Sequence, residues 1–86
     1  MIRSWFGRSG RQFRIDHSLT IAQVRQHMAE KGSEVTPDEL EYFEKDIGSL
    51  SPEQKEHYAD AVGETVESLR ERAKQLEKRG RQLGEK

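Results

Sequence analysis

Along the last third of the chain, small and apolar residues return in a 3-4 rhythm: Ala59, Val62, Val66, Leu69, Ala73, Leu76, Gly80 and Leu83. That rhythm is the heptad seam of a helix lying against another helix, as in a coiled coil. It predicts one long helix over 52–79, with Ala59, Val62, Val66, Leu69, Ala73 and Leu76 as a self-association surface. A helix of about 28 residues is roughly 42 Å long, whereas a compact domain of this size is only about 30 Å across. The helix must therefore overhang, bend or lie along a second subunit. Gly63 is its weak point, at about 1 kcal/mol against alanine. A homodimer is favoured in antiparallel register, where Glu56, Asp60, Glu64 and Glu67 meet the partner's basic half. Folding of the same stripe onto the chain's own helices is the alternative.

Upstream, the helix starts are spelled out locally. Thr36-Pro37-Asp38-Glu39 offers a capping hydroxyl, a proline at the first helical position and a reach-back glutamate, flanked by Val35 and Leu40 as a hydrophobic staple. Ser51-Pro52-Glu53-Gln54 repeats the device, and Thr20-Ile21-Ala22-Gln23 is a weaker version. Gly32 and Gly48 fall where left-handed helix ends belong. Helices are expected over 20–31 and 37–47, with stripes Ile21, Val24, Met28 and Leu40, Phe43, Ile47. Residues 80–86 are expected to fray.

Residues 1–16 read differently. Two short β-compatible runs flank Gly7-Arg8-Ser9-Gly10, which predicts a β-hairpin, with a basic arm as the alternative. The expected fold class is thus an α-dominated α+β single domain spanning 1–86: an N-terminal β-hairpin, two short helices and one long C-terminal helix.

Composition narrows the function classes. The chain lacks cysteine, so it has neither disulfides nor thiolate metal ligands. Its apolar runs are too short for a membrane span, and its first residues lack a secretory pattern, so a cytoplasmic protein is expected. The net charge of -1 conceals three blocks: +4 over residues 1–33, -9 over 34–67 and +4 over 68–86. Either the blocks pair with one another or one of them faces an oppositely charged partner.

Two surfaces follow as candidates. Arg3, Trp5, Arg8, Arg11 and Arg14 combine cations with an aromatic ring, a composition suited to a protein partner or to nucleic acid. Asp38, Glu41, Glu44, Glu53, Glu56 and Asp60 form an acidic surface suited to a basic, nucleic-acid-binding protein. The helix–break–helix rhythm of 20–50 resembles a DNA-reading pair, but its second helix is acidic and would meet phosphates with like charge. Glu53, His57 and Asp60 share a helical face, yet without a second histidine in register they predict no metal site. No phosphate loop or serine–histidine–carboxylate pattern is evident, and no cofactor or small-molecule substrate is expected. The chain reads as a non-enzymatic regulatory or adaptor protein acting by protein binding. A small nucleic-acid-associated regulator, an acidic-surface inhibitor and a structural subunit of a larger assembly are the alternatives.

Overall fold

The structure, a computed structural model, describes residues 5–84. These form five helices: α1 (Phe6–Asp16), α2 (Ile21–Glu30), α3 (Pro37–Glu44), α4 (Pro52–Ala61) and α5 (Val66–Gly84). No strand occurs among the described residues, so the α+β expectation is corrected to all-α. Three of the starts are the capping boxes read from sequence. Thr20, Thr36 and Ser51 each accept from the backbone N–H three residues on, and Gln23, Glu39 and Gln54 reach back.

The expected hairpin is the first helix, and its glycines explain why. Gly7 and Gly10 do not turn the chain; they line a face of α1 that approaches the core closely. A Cβ on Gly7 would collide with the Phe43 carbonyl, and one on Gly10 with the Tyr58 ring. Phe6, Gly7, Ser9 and Gly10 are buried, with Phe13 one turn further packed against the core. Each helical glycine costs about 1 kcal/mol in propensity, which close packing must offset. Trp5, at the helix entry, makes no side-chain cap. Instead Asp46, from the turn after α3, accepts from the backbone N–H groups of Gly7 (2.9 Å) and Arg8 (3.2 Å). A carboxylate there also faces the positive end of the helix.

The long C-terminal helix is likewise corrected, to two helices broken between Ala61 and Val66. Gly63 takes φ +77°, its N–H donates to the Asp60 carbonyl, and the Glu64 N–H donates to the Ala59 carbonyl. This double bond pattern is a Schellman end. Thr65 and Ser68 then cap the next helix reciprocally, through Thr65 N–H to Ser68 Oγ (2.9 Å) and Ser68 N–H to Thr65 Oγ1 (3.0 Å). The heptad count runs through this corner without registering it. The same exit closes α1, α2 and α3, with Ser18 (φ +56°), Gly32 and Asp46 (φ +62°) in the left-handed position. At α3 the turn comes at Asp46 and not at Gly48, so α3 stops at Glu44 and Ile47 is left exposed.

The principal contacts run α1–α3, α3–α2, α2–α4, α4–α5 and α5–α1, a closed circuit of helices around one core. Val24, Met28, Leu40, Tyr58, Val62 and Leu69 are fully buried there, and Phe43 packs edge-on between Phe6 and Tyr58. No helix among the described residues is long and apolar enough to cross a membrane.

Candidate functional site: a cationic surface around Trp5

The stripe expected to bind a second copy is largely used within the chain. Ala59, Val62 and Leu69 are buried in its own core, and Val66 packs against that core. Helix α5 runs antiparallel to α1: Gly80 lies against the Trp5 ring, and Arg72 stacks on Phe13 (4.4 Å) while donating to Gln12 Oε1 (2.9 Å). Ala73 and Leu76 stay partly exposed in groove walls beside Trp5. The exposed residues of α5 up to Gly80, namely Glu67, Arg70, Glu71, Lys74, Gln75, Lys78 and Arg79, are all polar.

The basic N-terminal set divides. Arg3 lies outside the described residues. Arg14 is no surface group: its guanidinium grips Glu44 through Nε–Oε2 (2.7 Å) and Nη2–Oε1 (2.9 Å) and donates to the Leu19 carbonyl. Tyr58 completes the triad, donating its hydroxyl to Glu44 Oε2 at 2.6 Å. Burial, and then the Glu44 charge, push the Tyr58 phenol far above its ordinary range, so it remains a donor. The Glu44 hydrogen bond holds Arg14 firmly protonated. Glu44 therefore leaves the acidic candidate surface and becomes a core anchor joining α1, α3 and α4. Asp38, Glu41, Glu53, Glu56 and Asp60 are exposed.

Trp5, Arg8 and Arg11 do share a surface. Arg8 stacks over the indole at 4.7 Å and approaches Asp46 at 3.7 Å. One groove beside Trp5 carries Arg8, Arg11, Gln12, Lys45 and Leu76, with the bound Glu44 in its wall. A second, on the other side, carries Phe6, Ala73, Lys55, Arg70, Lys74 and Glu77. Lys55 sits 5.3 Å over the Phe6 ring. Lys45, Lys55, Arg70 and Lys74 do not stand out in the sequence as members of one site, because they lie at the end of α3, on α4 and on α5. Only the fold brings them to the same tryptophan.

The charge blocks are neutralised unevenly. Inter-block ion pairs join residues 8–31 to the acidic block: Arg8–Asp46, Arg14–Glu44, Lys31–Asp60 (3.6 Å), and the histidine contacts His27–Asp60 (2.7 Å) and His17–Glu64 (3.7 Å). Hydrogen bonding from His27, with help from the Lys31 charge, holds the exposed Asp60 carboxyl below its ordinary range. Among the described residues, the cations of α5 show the ion pair Lys74–Glu71, at 4.0 Å within their own helix. Arg70, Lys74, Lys78 and Arg79 thus face outward, while Arg72 is turned onto α1.

The fold also makes one serine–histidine contact that spacing did not suggest, Ser33 Oγ to His57 Nδ1 at 2.6 Å. No carboxylate orients that imidazole among the described residues, and Ser33 is buried, so the pair ties the α2–α3 turn to α4. Nor do the described residues gather three or more side chains able to hold a metal ion. The chain matches no family model, no curated protein and no solved structure.

Proposed function

We propose that this chain is a non-enzymatic regulatory or adaptor protein of the cytoplasm that works by binding another protein, an acidic one. The carrying observation is the uneven neutralisation: the acidic block draws in Arg8, Arg14 and Lys31, while Arg70 and Lys74 of α5 stay exposed beside Trp5. Such a surface steers an oppositely charged partner and fixes its register.

Nucleic acid fits this surface less well. Base recognition by tryptophan needs an open ring face, yet Trp5 has Arg8 stacked over it and Gly80 against its edge. Ala59, Val62, Val66 and Leu69 of the apolar stripe pack within the chain, so the reading does not require self-pairing through α5.

Affinity capture from the native host at about 0.05 M and 0.5 M salt, with and without nuclease, tests the proposal. A retained protein that is lost at high salt and indifferent to nuclease is the expected result. Retention that nuclease abolishes would overturn the reading in favour of the nucleic-acid alternative.

A further inference from the structure

Within that protein-binding reading, on which this inference rests, we propose that the groove between α4 and α5 is the docking site. Its occupant is an acidic, amphipathic segment of the partner that inserts one apolar side chain between carboxylates. The floor of the groove is Trp5, Phe6 and Ala73, and its rim is Lys55, Arg70 and Lys74, three cations against the one carboxylate of Glu77. Apolar floor and cationic rim together select a ligand that carries both features, since a bare polyanion gains nothing from the floor.

Three observations favour this groove over its neighbour. In the neighbour, Arg8 is already engaged by Asp46 and by the indole. Here Arg70 has no ion pair among the described residues, and Lys74 has only the long contact to Glu71. Lys55 is the only lysine or arginine between Ser51 and Ala61, otherwise a stretch with Glu53, Glu56 and Asp60. The fold turns this one cation towards Phe6, so the rim receives positive charge from both walls. Ala73, by its small size, keeps the floor open where a larger residue would fill it.

Trp5 is the single tryptophan and lines the groove, so its emission reports occupancy directly. The probe is a peptide of about a dozen residues of glutamate and leucine, the leucines at helical i, i+3, i+7 spacing. Polyglutamate and a single-stranded oligonucleotide serve as comparators. Titration is expected to shift Trp5 emission, with the amphipathic peptide binding about tenfold more tightly than polyglutamate. Arg70→Glu and Lys55→Glu should each weaken binding about tenfold, with circular dichroism confirming the fold. Arg11→Glu in the neighbouring groove should leave affinity within about twofold.

Equal affinity of peptide and oligonucleotide, or binding lost in Arg11→Glu but kept in Arg70→Glu, would overturn the assignment. Failure of this groove and failure of the adaptor reading are separable. A host protein still captured by the Arg70→Glu, Lys55→Glu double variant refutes the groove alone, whereas absence of any captured protein refutes both.

Discussion

Helices α1 and α4 begin in opposite ways. Helix α4 is started by its own residues, since Ser51 and Gln54 satisfy each other's backbone N–H groups three positions apart. Helix α1 is started by Asp46, which lies 39 residues from Gly7. It is then gripped by Glu44 through Arg14, 30 residues away. One helix can form in isolation to the extent that any short helix can. The other has its first turn completed only once α3 has turned at Asp46.

The contrast is broken most forcefully at Glu44. Glu44→Ala removes the partner of both Arg14 and Tyr58 and strands the part-buried Arg14 charge, and should cost about 3 kcal/mol, read by denaturant unfolding. Next comes Asp46→Ala, which takes two charge-assisted bonds from the α1 start and should cost about 1.5–3 kcal/mol. Gly10→Ala sharpens the comparison. On helix propensity alone it gains about 1 kcal/mol, but the Tyr58 ring stands where the methyl would go. A net loss of about 1–3 kcal/mol is expected from overpacking, and a stabilised variant would refute the close approach. Ser51→Ala tests the self-started helix and should cost about 0.5–2 kcal/mol.

Asp60→Asn sits at the small end. The lowered carboxyl pKa means that its contribution is complete above the ordinary carboxylate range and fades as pH falls through the lowered value. For a group so exposed, the melting temperature should move little at pH 7.

The same division decides what was legible beforehand. The boxes at Thr20, Thr36 and Ser51 are contained within four residues, so a linear reading finds them. Met28, Leu40, Phe43 and Leu69 follow helical spacing and are core. Helix α1 was illegible because its signal, small residues one turn apart, matches a turn signal unless the Phe43 carbonyl and the Tyr58 ring are known to lie opposite. Arg14 and Glu44 looked like solvated charges because nothing in either's neighbourhood announces the other. The corner at Gly63 was visible as a weak point, and the Thr65–Ser68 pair lacks the glutamate or glutamine of a full box, so the heptad rhythm outweighed it. The cationic grooves lay furthest from view, assembled from four helices and the residue preceding α1.

The antiparallel seating of α1 on α5 also sets a timetable. Gln12 and Arg72 meet across 60 residues of chain, so closing the circuit carries the largest loop entropy in the fold. Contacts of that reach form late, after α2, α3 and α4 have gathered around Met28, Leu40 and Tyr58. Substitutions along the α1–α5 seam, such as Ala73→Gly, should therefore hasten unfolding while leaving the folding rate nearly unchanged. The surface beside Trp5 would then be the first part of the molecule to come apart and the last to be made.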